Sequence, residues 1–398
     1  MSFTKLTPLI ARSAHIASRR PPNVALTPTL IRRAVSNTPR TLFASRWEPV
    51  MQNIKEGIQT TISENLGKVV PGNENAPKDS QFSLDQVPDL TGKVAVVTGG
   101  SEGIGYGVTH TLLSHNISKL FILSIDKGIT DDAKKAIASE LGEDAAQKVE
   151  WYECDLADWE ATGKTALDIA SKTDRIDILV NNAGRGIMTY QVADVGVDLH
   201  MAVNHFGHVV LTSHLLPTLK ETAKNGKVRI VNLASNAHQN APKGVRFESL
   251  EELNQDLGPN GQYGRSKLAA ILYSRYLNRH LTSKHPNILV NATHPGIVDT
   301  RQSTQHIHEA FPLMGYGMSV AMQPFKKTQF EGAVSTMFAA TATNGSGQYI
   351  CPPAAVERGS EQANDDALGE RLMDLTWKIV KEKTKEQSAD KGCPFKES

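Results

Sequence analysis

Between residues 90 and 385, short apolar runs rich in β-branched residues alternate with stretches of helical pattern. This alternation constrains the fold more than any other feature of the chain. The strand-like runs are Val94–Thr98, 120–124, 149–154, Ile178–Asn181, 228–234 and 288–292. Strands separated by helix-length segments pair in parallel, because the crossover helices must pack on the faces of the sheet. The expected fold class is therefore α/β, a doubly wound parallel sheet with helices on both faces. Ligands of such sheets sit at the carboxyl ends of the strands, so those loops carry the search for a site.

The first strand-like run ends in Thr98-Gly99-Gly100-Ser101-Glu102-Gly103-Ile104-Gly105, and a helical stretch follows. Glycines there let the backbone turn tightly and approach a pyrophosphate without a Cβ in the way. The helix start points free N–H groups and the positive dipole end at the phosphates. A Gly-rich turn alone is a weak signal. Its place between strand and helix strengthens the reading as a dinucleotide loop considerably, with Gly99, Ser101, Gly103, Ile104 and Gly105 as candidate cofactor contacts.

The spacing Gly99-x3-Gly103-x-Gly105 resembles the fingerprint of the short-chain dehydrogenase/reductase family, and four further elements follow in that family's order. Asp155-Leu156, after the third run, looks like the pair that contacts adenine. Asn181-Asn182-Ala183-Gly184 ends the fourth run and adds Asn182, Ala183 and Gly184 to the cofactor site. Tyr263-Gly264-Arg265-Ser266-Lys267 matches the family's Tyr-x3-Lys. Pro295-Gly296-Ile297-Val298-Asp299-Thr300 resembles the turn that clamps the nicotinamide, through Pro295, Gly296, Val298 and Thr300. The resemblance implies a single catalytic domain, residues 90–385, using NADP or NAD. The selecting position after the second strand falls at Ser124-Ile125, which chooses neither. Asp126 and Lys127 follow and argue in opposite directions. Overall likeness inclines the choice toward NADP.

Hydride transfer leaves the protein one proton to manage. Tyr263 is the candidate acid/base. Its phenol, ordinarily near pKa ~10, is a poor base at neutral pH. Lys267, four residues on and on the same helical face, is expected to lower that pKa with a fixed ammonium. By resemblance Lys267 also holds the nicotinamide ribose, and Tyr263 joins it in the cofactor site. Ser235, ending the run 228–234, is positioned to hold the substrate oxygen. Asn204, in Val203-Asn204-His205-Phe206-Gly207-His208, matches the family's asparagine, which organises a water leading from the lysine to solvent. His205 and His208 find no further ligands in the sequence and read as structural, so no metal site is assigned.

The insert 237–262, the motif around Asn204, the run Ser346-Gly347-Gln348-Tyr349 and a helix at 365–380 resemble the retinol dehydrogenase-like branch. That points to an alcohol or carbonyl small molecule as substrate. The stretch 301–327 holds Phe311, Leu313, Met314, Tyr316, Met318, Met322 and Phe325. It reads either as an apolar lid over a lipophilic substrate or as plain packing. The rival to an enzyme is a non-catalytic dinucleotide sensor or scaffold at mitochondria. The intact tetrad argues against it, since a sensor has no use for all four residues.

Net charge is +1, which implies no attraction to nucleic acid, and no apolar run approaches the length of a membrane span. Three scattered cysteines fit neither a disulfide framework nor a zinc site. The start of the chain is different. No Asp or Glu precedes Glu48, while Lys5, Arg12, Arg19, Arg20, Arg32, Arg33, Arg40 and Arg46 stand among serines. That is the pattern of a mitochondrial presequence, assigned to residues 1–46, with the matrix as the expected compartment. The next segment, 47–89, reads as a helix with Val50, Ile54, Ile58, Ile62 and Leu66 on one face, followed by a Pro-containing linker. The helix could dock on the domain, bind a partner or touch a membrane. Residues 386–398 read as a solvated tail. With this N-terminal region, the chain most resembles mitochondrial oxidoreductases of filamentous fungi, of the blue-light-induced kind. Homodimers through the helices bearing Asn204 and Tyr263 are common in the family, and the extra segments here could block that contact.

Overall fold

The computed structural model describes residues 82–296, 298 and 327–384. The presequence, the 47–66 helix, Thr300, most of the 301–327 stretch and the tail fall outside the described residues. Eight strands form one sheet in the order β3-β2-β1-β4-β5-β6-β7-β8. They are β1 Val94–Thr98, β2 Lys119–Ser124, β3 Val149–Glu153, β4 Ile178–Asn181, β5 Val228–Leu233, β6 Ile288–Thr293, β7 Tyr349–Cys351 and β8 Ala355–Glu357. Every pairing is parallel except β7 with β8. The six expected strands are present. β7 and β8 are additional, three residues each, too short to show a period in the sequence.

The sheet sits between two helical layers. Val94 and Val96 of β1 pack into one hydrophobic cluster, and Ala95 and Val97 into another, as the two-residue repeat of a strand requires. On the Ala95 side lie α1 (Gly103–Ser114), α2 (Lys127–Leu141) and α6 (Gln329–Met337). On the Val94 side lie α3 (Trp159–Lys172), α4 (His208–Ala223), α5 (Gly258–Leu277) and α7 (Asp366–Lys383). A π-turn, Ala202–Gly207, leads into α4.

Helix α5 is buried all round from Gly264 to Ser274, as a helix enclosed by neighbours must be. Its outer side is covered by α7, whose Leu372, Met373, Thr376 and Trp377 are buried. Asp365 caps α7 by accepting from Leu368 N at 2.9 Å. Arg279, just beyond α5, pairs with Asp366 and Glu370 at the start of α7. The outer side of the helix that bears Tyr263 and Lys267 is thus occupied by α7 of the same chain.

Candidate active site

The strand order reverses between β1 and β4, and two loops meet there. Gly99 and Gly103 hold φ of +61° and +54°, values that favour glycine. A Cβ on Gly105 would lie 1.9 Å from the Gly99 carbonyl oxygen, so only glycine lets α1 start this close to the turn. Asn182, just past β4, donates from Nδ2 to the carbonyls of Thr98 at 2.8 Å and Gly99 at 3.0 Å. A Cβ on Gly99 would come within 3.1 Å of Ala183 Cα. Ser101 is buried in the same turn, and no side chain caps the first turn of α1. Bare glycine backbone beside an uncapped helix start fits an anionic dinucleotide.

The remaining expected cofactor residues surround this cradle. Gly296 has φ +80°, and Val298 bridges to Lys327. A Cβ on Gly332 of α6 would meet Val298 at 2.5 Å and Ile104 at 3.3 Å, so the Pro295-Gly296 turn closes toward the glycine loop. After β3, Asp155 accepts from Ala157 N at 2.8 Å, and Leu156 is buried. The Leu156 backbone presses on Gly207, where a Cβ would sit 2.2 Å from its carbonyl oxygen. At the end of β2 the polar side chains Ser124, Asp126 and Lys127 are all engaged, and Ile125 is exposed. The Ser124 hydroxyl meets Thr130 Oγ1 at 2.9 Å and Trp151 Nε1 at 2.8 Å. Asp126 caps α2 by accepting from Ile129 N, and Lys127 pairs with Asp131.

Ser235, Tyr263, Lys267 and Asn204 come together beside that cradle. Ser235 follows β5, and Tyr263 and Lys267 share one side of α5. Gly264 makes the meeting possible. A Cβ there would lie 2.7 Å from the Ala237 carbonyl oxygen, so α5 approaches the turn carrying Ser235 through a missing side chain. Sequence reading quoted Gly264 only as part of a motif, because a close approach between distant segments leaves no local pattern. Arg265 is buried and anchors the insert, donating to the carbonyls of Glu252 at 2.9 Å and Leu253 at 2.5 Å. It also faces buried Asp198 at 3.5 Å.

The Tyr263 phenol is pushed up to about 12 by burial, against a downward pull from its hydrogen bond with Ser235. Lys267 donates from Nζ to the Leu233 carbonyl at 2.8 Å and stands 5.5 Å from the Tyr263 ring centre. Burial lowers its pKa to about 8. The expectation of a phenol depressed by the lysine is therefore corrected: burial pushes the phenol up, and the downward pull comes from Ser235. Asn204 lies in the π-turn, a departure from α-helix that frees side chains and carbonyls for other work. Its Oδ1 accepts from Arg185 N at 2.6 Å, and its Nδ2 donates to Arg185 O at 3.0 Å and Ser266 Oγ at 2.9 Å. Gly184 sits between, where a Cβ would lie 3.1 Å from Asn204 Oδ1 and 3.6 Å from Lys267 Nζ.

His205 and His208 are buried, and burial lowers their pKa values to about 3 and about 4. The Thr376 hydroxyl donates to Leu372 O at 2.7 Å, so it accepts from His205 Nε2 at 2.8 Å. His205 Nδ1 is then an acceptor. His205 borders a small cavity of about 10 Å³ lined also by Asn181, Asn204, His208, Asn232 and Tyr273.

Comparison with known proteins agrees with this geometry. The family profile described as short chain dehydrogenase matches residues 93–247. A Neurospora crassa protein named "Putative oxidoreductase bli-4, mitochondrial" is 51% identical, covering 98% of this chain and 98% of its own length. The chain belongs to the short-chain dehydrogenase/reductase family. It is accordingly an oxidoreductase of the type that acts on CH–OH and C=O groups with NAD(P). A Danio rerio polyprenol dehydrogenase is 32% identical, covering 67% of this chain and 79% of its own. Among solved structures, the Pseudomonas aeruginosa RhlG/NADP complex shares the fold at TM-score 0.50 and 26% identity, over 66% of this chain and 96% of that one. A Mycobacterium paratuberculosis protein of uncharacterised role reaches TM-score 0.58 at 24% identity, over 76% and 98%. In this short-chain dehydrogenase/reductase, residues 237–262 precede the tyrosine and α7 packs behind the helix that carries it.

Proposed function

We propose that this protein interconverts an alcohol and a carbonyl, with Tyr263 as the acid/base. The observation that carries the reading is the convergence of Ser235, Tyr263, Lys267 and Asn204 beside a glycine cradle at the switch point of the sheet. NADP or NAD, held by Gly99, Ser101, Gly103, Ile104 and Gly105, by Asn182, Ala183 and Gly184, by Asp155 and Leu156, and by Pro295, Gly296, Val298 and Thr300, supplies or accepts the hydride when bound. With its pKa near 12, the Tyr263 hydroxyl is protonated at neutral pH, the state that donates to a carbonyl oxygen. Ser235 shares a hydrogen bond with it and holds the same oxygen. Lys267 replaces the proton that Tyr263 gives up, and Asn204 fixes the backbone that borders the lysine. A lysine poised near 8 passes a proton at neutral pH at little cost.

The substrate is lipophilic on this reading. The Danio rerio relative's name and the apolar composition of 301–327 support it. The acid-free, Arg-rich first 46 residues and the Neurospora crassa relative's name support a mitochondrial address, in the matrix. NADPH is the first cofactor to test, since the RhlG structure contains NADP; the engaged side chains after β2 leave the contest with NADH to titration. The deciding experiment is Tyr263→Phe, assayed on lipophilic aldehydes and ketones and titrated with NADPH and NADH by fluorescence. Turnover is lost while cofactor affinity is kept. Retained turnover would sink the assignment. A folded wild-type protein that binds neither nucleotide would sink the cofactor reading.

A further inference from the structure

Two side chains hold the segment Asn182–Arg185 from opposite ends. Thr98 Oγ1, at the end of β1, accepts from the backbone N–H groups of Asn182 and Ala183, each at 2.9 Å. Asn204 grips the backbone of Arg185 through both its Oδ1 and its Nδ2. Between these clamps lies Gly184, against Asn204 and Lys267.

His208 touches both clamps. Its Nε2 is 2.9 Å from Thr98 Oγ1, and its Nδ1 is 3.2 Å from the Asn204 carbonyl oxygen. The direction of each bond follows from counting. A hydroxyl has one hydrogen and two lone pairs, and a backbone N–H can only donate. Two N–H groups fill the lone pairs of Thr98, so its hydrogen goes to His208 Nε2. That nitrogen is therefore bare, the proton of the neutral ring is on Nδ1, and Nδ1 donates to the Asn204 carbonyl. A second ring proton would face a hydroxyl with no lone pair left. Burial of the imidazole favours the same neutral state.

We propose that His208 is a positioning residue that ties the two clamps into one closed ring, setting the Asn182–Arg185 turn against the cofactor cradle and Lys267. The ring runs from Thr98 through Asn182 and Ala183, along the chain to Arg185, across to Asn204, and back through His208. Its joints are one side chain from β1, one turn after β4, and two residues from the π-turn and the start of α4. The brace thus couples the cofactor loop to the asparagine of the tetrad, and it works only in one tautomer. The turn's contact with cofactor rests on the reading under Proposed function; the hydrogen-bonded ring does not.

The test uses the full chain with His208→Phe, which keeps the ring's bulk and loses both bonds. His208→Gln can reach Thr98 with an acceptor, and His208→Asn can reach the Asn204 carbonyl with a donor, so each keeps one arm. Thermal melting establishes that the variants are folded. Two measurements then apply, amide hydrogen exchange at Asn182, Ala183 and Arg185, and fluorescence titration with NADPH and NADH. In His208→Phe, exchange at these three amides speeds up relative to the rest of the sheet, and nucleotide binding weakens about tenfold. The Gln and Asn variants fall between it and the wild type. A folded His208→Phe that exchanges and binds like the wild type overturns the proposal, as does exchange that rises evenly over the whole sheet. If the Phe variant does not fold, one-arm variants identical to the wild type in both measurements overturn it as well. A wild type that binds no nucleotide refutes the cofactor reading and leaves the exchange arm to judge the brace.

Discussion

Lys267→Met should make the protein more stable at neutral pH and less stable in alkali, while removing its activity. The ammonium is almost wholly buried, and burial moves its pKa from 10.5 to about 8. Holding the charged form in the folded chain therefore costs about 3 kcal/mol. Below pH 8 the group is charged in folded and unfolded chains alike, and the full cost is carried. Between pH 8 and 10.5 the folded chain releases the proton while the unfolded chain keeps it, so stability rises with pH through that window. Above it the cost is gone. Methionine never carries the cost, but it leaves the Leu233 carbonyl without the Nζ donor at 2.8 Å. That loss is worth about 1–3 kcal/mol at every pH. The balance at about pH 7 favours the variant by up to about 2 kcal/mol, a melting temperature a few degrees higher. At about pH 10.5 the sign reverses, because the neutral amine still donates to Leu233 and methionine does not. Thermal melts of both proteins at the two pH values decide the matter. A variant less stable at neutral pH, or a difference that ignores pH, would refute the reasoning.

The glycine cradle and the small cavity give two further tests. Gly105→Ala places a Cβ 1.9 Å from the Gly99 carbonyl and 2.5 Å from Asn182 Nδ2. It should lower stability by about 1–3 kcal/mol and abolish NADPH and NADH binding, read by melting and titration; unimpaired binding would mean that the loop is looser than its contacts. The cavity beside Asn204 is lined by Asn181 and His205, whose Oδ1 and Nδ1 are buried and lack a hydrogen-bond partner among the described residues. Two buried acceptors on residues that line a space of about 10 Å³ call for a double donor of that size, which is water. A high-resolution crystal structure should show an ordered water bonded to both atoms, and an empty, dry cavity would contradict the His205 tautomer inferred from Thr376.

The parallel sheet was legible because six of its strands are long enough to show as apolar runs between helices. The site was legible where function is written in consecutive residues, as in the glycine turn after β1 or Tyr263 and Lys267 four apart. What stayed hidden depends on contacts between segments far apart in sequence. Gly207 admits the backbone of Leu156, and Gly264 admits that of Ala237, and neither reason is visible beside either glycine. The pKa of Tyr263 went the other way from the sequence expectation for a related cause. Helical spacing places Lys267 on the right face, but it does not reveal how deeply the Tyr263 phenol is buried.

Helix α7 gives the molecule a further property. It lies against α5 within one chain. The rigidity of the helix that carries Tyr263 and Lys267 therefore does not depend on how much protein is present. Specific activity should stay level as the enzyme is diluted, and fusing a partner to the far end of α7 loads the back of the catalytic helix directly.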